Sequence, residues 1–178
     1  MQLEETRDTL NKFAKYVIQQ SRSNLTKSDK NVSKELYNSL DYDLTVSKNS
    51  FSLSLLMEDY GIFQDKGVKG KTSSAKAPNS PFQFGSGTGK KGGLTNGIDK
   101  WVRRRRFQFR DKKGKFMSYQ STAFLITRSI YNKGIKPSMF FTKPFEKAFK
   151  GLNEELVKAY ALDVEKFMAT TIKDNFKK

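Results

Sequence analysis

Hydrophobic residues change their spacing twice along this chain, and the change confines the fold class. Tyr42, Leu44 and Val46 alternate with Asp43, Thr45 and Ser47. Beyond Lys48-Asn49-Ser50 the alternation resumes, with Phe51, Leu53, Leu55 and Met57 set against Ser52, Ser54 and Leu56. Two period-two runs around a polar connection read as a β-hairpin with one buried face. On either side the spacing becomes three and four. Leu3, Leu10, Phe13, Ala14, Val17 and Ile18 predict a helix over 3–21, and Val32, Leu36 and Leu40 a short second one. Phe145, Phe149, Leu152, Leu156, Tyr160, Val164, Phe167 and Ile172 predict a long C-terminal helix, with Gly151 as a point of bending. Helices segregated from one small sheet make an α+β fold. The antiparallel sheet is expected to be built on a hairpin at about 42–64, packed by the N-terminal and C-terminal helices. At 178 residues, 1–178 reads as a single domain.

The stretch between hairpin and C-terminal helix has a different character. Residues 67–116 hold fourteen Lys/Arg against Asp99 and Asp111, which is +12 of the net +16. Gly67–Gly97 contains no acid and eight of the twelve glycines. It reads as a long Gly/Lys-rich loop, an extended basic arm over 67–97, and loops of that length in compact domains usually have a task. Asn96 with Asp99 reads as a helix cap, followed by the stripe Ile98, Trp101 and Val102. Phe107–Phe116 around Asp111-Lys112-Lys113-Gly114 reads as a small hairpin. Ser118 caps a helix that runs through Tyr131 to a stop at Lys133-Gly134, with Ala123, Ile126 and Ile130 on its inner face. Thr142 and Pro144 then open the last helix.

Composition narrows the chemistry. The chain has neither cysteine nor histidine, so disulfides, thiolate metal sites and histidine acid–base catalysis are excluded. Asp41/Asp43 and Glu58/Asp59 are close acid pairs. On a strand, Asp41 and Asp43 share one face, which reads as a solvated sheet surface rather than a metal or acid–base site. These residues imply no cofactor, no metal and no enzyme activity. No apolar run is long enough to cross a membrane, and the acidic N-terminus reads as no secretory signal. Gly87-Thr88-Gly89-Lys90-Lys91-Gly92 matches G-x-G-x-x-G, but Pro78 and Pro81 precede it instead of a strand, so a nucleotide cradle is not expected.

Two elements remain as interface candidates. One is cationic and aromatic: Lys69, Lys71, Lys76, Lys90, Lys91, Trp101, Arg103, Arg104, Arg105, Arg106 and Arg110, with Phe107 and Phe109 beside the arginines. Guanidiniums pair with phosphates and aromatic rings stack on bases, so nucleic acid is one partner; an acidic protein neighbour is the other. Four consecutive arginines point all round a helix, which argues against a dedicated reader of a duplex groove. The second is Phe140-Phe141, either a plug beneath the last helix or an interface anchor.

The chain also resembles the head–tail connector proteins of tailed bacteriophages, in the tail-completion or neck group. The likeness rests on the corner Tyr60-Gly61-Ile62-Phe63-Gln64-Asp65-Lys66-Gly67 after the hairpin, and on Phe140-Phe141-Thr142-Lys143-Pro144-Phe145 opening the last helix. Ala123–Pro137 is similar to the form in crAss-like phages of gut Bacteroidetes. The likeness covers about residues 30 to 150. It departs from the simplest members in the long 67–97 loop and the Arg103–Arg106 run. It implies a non-enzymatic α+β subunit that assembles with copies of itself into a ring at the head–tail junction of the virion, put together in the host cytoplasm. Portal, adaptor or tail proteins would be its neighbours, and DNA would pass through the lumen. The alternative that charge alone supports is a basic nucleic-acid-binding protein without enzymatic activity.

Overall fold

The computed structural model describes residues 3–28, 33–47, 50–87 and 92–175. The order of elements is α1 (Glu4–Lys27), α2 (Glu35–Ser39), β1 (Asp41–Ser47), β2 (Ser50–Leu56), α3 (Gly61–Lys66), α4 (Gly93–Arg105), α5 (Tyr119–Lys133) and α6 (Thr142–Asn175). The fold is α+β, and β1 and β2 form an antiparallel hairpin. Chain contacts divide it into two compact units where the sequence suggests one domain. The first is Met1–Lys27, Glu35–Glu58 and Phe140–Lys178; the second is Ser28–Lys34 and Asp59–Met139.

In the first unit the hairpin takes the register that its alternation dictates. Tyr42 faces Leu55, Leu44 faces Leu53 and Val46 faces Phe51. These cross-strand apolar pairs lie on one face, while Asp41, Asp43, Ser52 and Ser54 lie on the exposed one. The sheet stops at Leu56, short of the expected 64, because residues 61–66 turn into α3.

The inner face of the hairpin packs into two apolar clusters. Ile18, Leu25, Leu36, Leu40 and Phe140 form one, with Tyr42, Leu55 and Met57 at its margin. Phe13, Val17 and Leu152 form the other, flanked by Leu53, Phe141 and Phe145. Helix α1 runs one and a half turns beyond the expected Ser21 because Leu25, two turns on from Ile18, continues the buried stripe. Arg22 on the same stretch donates to the carbonyls of Tyr37 and Leu40 at 3.1 and 2.8 Å, satisfying the C-terminal end of α2.

Helices α1 and α6 lie antiparallel and are fastened at both ends. At one end Asn24 donates to the Phe140 carbonyl at 3.1 Å. At the other, the buried Asp163 carboxylate accepts from the backbone N–H groups of Glu5 and Thr6, both at 3.0 Å, and from the Thr6 hydroxyl at 2.8 Å. An acid from α6 thus serves the N-terminus of α1, where unpaired N–H groups and the helix dipole favour negative charge. Burial pushes the Asp163 carboxyl up, but the bonds from Thr6 and Glu5 and the nearby Lys166 outweigh it, so its pKa lies below the ordinary value.

The second unit is held by backbone rather than by a large core. Val68 and Ile135 exchange both backbone hydrogen bonds, at 3.0 and 2.8 Å. Lys71 and Thr72 N–H groups reach the carbonyls of Tyr131 and Asn132, and Lys69 exchanges bonds with Phe82 and Phe84. The expected extended arm is therefore folded down over Gly67–Phe84, with Val68, Ala77 and Ser80 buried. The reason is close approach of two backbones. A Cβ on Gly134, which has φ +82°, would collide with the Val68 carbonyl oxygen, and one on Gly70 with the Asn132 carbonyl. Only glycine admits this contact on both sides.

Helices α4 and α5 end as local chemistry requires. Ser118 caps α5, accepting from the Ser121 N–H, and Gly134 ends it, as the sequence predicts. Helix α4 begins at Gly93, not at Asn96: Gly92 in the left-handed region is its N-cap, and the Asn96 N–H is already bonded to the Gly92 carbonyl at 3.0 Å.

Two tests follow from these fastenings. Gly134→Ala destabilises the second unit by about 1–3 kcal/mol because the backbone opposite cannot yield. Gly97→Ala, in open space inside α4, stabilises by about 0.5–1 kcal/mol. Paired thermal melts check both signs. Asp163→Asn costs about 1–3 kcal/mol at neutral pH. Since folding lowers the Asp163 pKa, its contribution is complete above the unfolded value of about 3.9 and fades as pH falls below it. Denaturant titrations should show wild type and variant converging only under such acidic conditions.

Candidate functional site

The exposed cations and aromatics come together in the second unit, where α4 runs into the turn at 107–117. Val102 is the buried residue of α4 and pins it down; Arg103, Arg104 and Arg105 follow on its exposed turn. Arg106 adopts φ +51° and ends the helix, its N–H bonding to the carbonyls of Val102 and Arg103. Left-handed backbone at Arg106 turns the chain back, so Phe107 meets the ring of Trp101 from the preceding turn, 6.1 Å between centroids. Phe109 packs edge-on against Phe107 at 5.2 Å. The three rings form a contiguous, partly exposed step.

The expected small hairpin is present as a tight loop. Arg110 bridges to Phe116, and Met117 N–H donates to the Phe109 carbonyl at 2.8 Å. Asp111 organises it: its carboxylate accepts from the N–H groups of Lys113 and Lys115, each at 2.9 Å. Gly114, at φ +79°, completes the turn. The Arg110 guanidinium lies 4.1 Å above the centre of the Phe116 ring and donates to the Gly114 carbonyl. The loop is anchored to α5 by Thr122, fully buried, whose hydroxyl accepts from the Phe109 N–H at 3.3 Å.

Both acids of the basic block are committed to local partners. Asp99 pairs with Arg103 at 2.8 Å, one helical turn away, and that bond raises the Arg103 pKa. Arg103 also sits over the Tyr119 ring, 5.7 Å from its centre. Asp111 is occupied by its own turn.

Other candidates lie elsewhere. Lys69 and Lys71 belong to the folded-down segment, with the Lys71 ammonium 5.9 Å from the Tyr131 ring centre, and Lys76 is exposed farther along it. Lys90 and Lys91 lie outside the described residues, as does most of the G-x-G-x-x-G run. Phe140 is only 1% exposed within the first unit's core, and Phe141 packs against both clusters. They occupy the position of the plug, and the anchor reading of Phe140 is corrected: a ring at that burial has no face for a partner. Phe116 and Tyr119 were missed by sequence reasoning. The cue was the cation-rich spacing around Phe116, which a turn folds back under Arg110. Among the described residues no group of three or more acids could hold a metal, and no helix is long and apolar enough to cross a membrane.

Comparison with protein-family models, curated proteins and solved structures found no match to this chain.

The Thr122 anchor is testable on its own. Thr122→Val keeps the shape but removes the acceptor for Phe109, so exchange of the Phe109 amide hydrogen should accelerate about tenfold, the equivalent of about 1.4 kcal/mol. An unchanged rate would mean that the loop is held by its rings alone.

Proposed function

We propose that this chain is a virion structural protein, a ring-forming subunit of a tailed-phage head–tail connector that joins portal and tail and has no catalytic role. The observation that carries the reading is apolar surface on the first unit that its own chain does not cover. Past Lys166, which pairs with Glu5 at 2.6 Å, α6 continues to Asn175 beyond the first turn of α1. That stretch is nine residues, or about 14 Å of helix. Phe167, Met168 and Ile172 on it are about half exposed. The same unit carries an open apolar groove of ≈ 470 Å³, lined by Leu10, Phe51, Leu53, Leu156, Val157 and Tyr160. A projecting apolar segment and a separate apolar groove on one chain suit a head-to-tail contact between copies, the kind that closes into a ring. The two-stranded hairpin adds strand edges that a neighbour can extend.

The resemblance supports the remainder: location at the head–tail junction, portal, adaptor or tail proteins as neighbours, and DNA passing through the lumen. The test is assembly. Light scattering and negative-stain microscopy of the recombinant protein should find rings at micromolar concentration. Phe167→Asp with Ile172→Asp should give a monomer with an unchanged circular-dichroism spectrum. A wild type that stays monomeric, together with absence of the polypeptide from purified virions, would sink the proposal.

A further inference from the structure

We infer that the step formed by Trp101, Phe107 and Phe109, with its surrounding guanidiniums, is a binding site for single-stranded nucleic acid. This does not rest on the ring reading; a ring around passing duplex needs no such site.

Three observations carry it. The first is density of charge: residues 101–116 contain eight Lys/Arg and one acid, Asp111. That acid is turned to the backbone of its own loop, and the neighbouring Asp99 is held by Arg103. Eight cations against one acid leave a net +7 on this segment, so a strand that lays phosphates here gains by releasing its counterions. The second is the exposure of rings where burial would be expected. Trp101, Phe107 and Phe109 are 37–40% exposed and Phe116 57%. Aromatic faces beside guanidiniums are the two components of a stacking platform. Arginine and aromatic rings are common to protein–protein interfaces, but Lys112, Lys113 and Lys115 are of a type depleted there. The third is how the step is built. The left-handed Arg106 and the Thr122 anchor hold Phe107 and Phe109 in place instead of letting them collapse inward.

Single strand is favoured over duplex for a geometric reason. Ring faces stack only on unpaired bases, and the arginines of α4 radiate around the helix axis rather than along one groove. Arg110 shows how closely cation and ring lie here, its guanidinium carbon 4.1 Å from the centre of the Phe116 ring.

Trp101 is the chain's one tryptophan, so its emission reports on the site directly. Titrating the full-length protein with a twelve-nucleotide oligo-dT should quench that emission at least twofold. The log of the affinity should fall linearly with log salt, by about 0.7 for each phosphate contacted. Phe107→Leu and Phe109→Leu keep apolar bulk but lose the ring face, and each should weaken binding about tenfold at unchanged melting temperature. Arg106→Gln should flatten the salt dependence. A duplex of equal length should bind at least tenfold more weakly. The inference is overturned by any of three results. These are no quenching at low salt, equal affinity for duplex and single strand, or leucine variants that bind as wild type. A polyglutamate peptide that quenches Trp101 as strongly as oligo-dT overturns it too, and assigns the patch to an acidic protein.

Discussion

Helix α1 lying antiparallel along α6 is the contact on which the first unit depends. Neither helix covers its own apolar stripe, and the hairpin is too small to do so alone. The seam is closed at its ends by polar fastenings, Asn24 to Phe140 at one and Asp163 to the start of α1 at the other. Between them Phe13 meets Phe145 edge-on, at 5.8 Å between centroids. Register is thus fixed by directional bonds, and burial supplies most of the free energy. A helix pair set this way also decides which residues remain outside: those of α6 past Lys166.

The second unit solves a different problem. It has few large buried side chains, so backbone pairing does what a core would otherwise do. Two glycines, Gly70 and Gly134, let residues 68–72 lie against 131–135 closely enough to exchange hydrogen bonds. On that base α5 stands, and on α5 rests the loop that displays Phe107 and Phe109. The exposed rings are therefore the outermost layer of a chain of supports that begins with a missing Cβ.

What the sequence made legible were features with local causes. The hairpin register follows from alternation, the start of α5 from the Ser118 hydroxyl, its end from Gly134, and the small turn from Asp111 and Gly114. What it hid had distant causes. Gly67–Phe84 reads as loop because its partners are backbone atoms some sixty residues away, invisible to any periodicity. Helix α3 is six residues long and has no side-chain cap, and its Ile62 and Phe63 stay exposed, so no stripe marks it. Of the candidate interface, the cations were evident from the residues alone. That the rings of Trp101, Phe107 and Phe109 form one step was not, since it hangs on the backbone turn at Arg106.

The bonds at the entrance to the 59–139 segment have a wider consequence. Ser138 N–H and hydroxyl both reach the Gln64 carbonyl, Met139 N–H reaches that of Asp65, and Val68 pairs with Ile135. The segment's two ends are laced together before the chain rejoins α6. Whatever lies between them is a loop whose ends are already bonded to each other, so a change in its length costs little in closure entropy. Such an arrangement lets the stretch between residues 69 and 134 change in length without disturbing the bonds that close it.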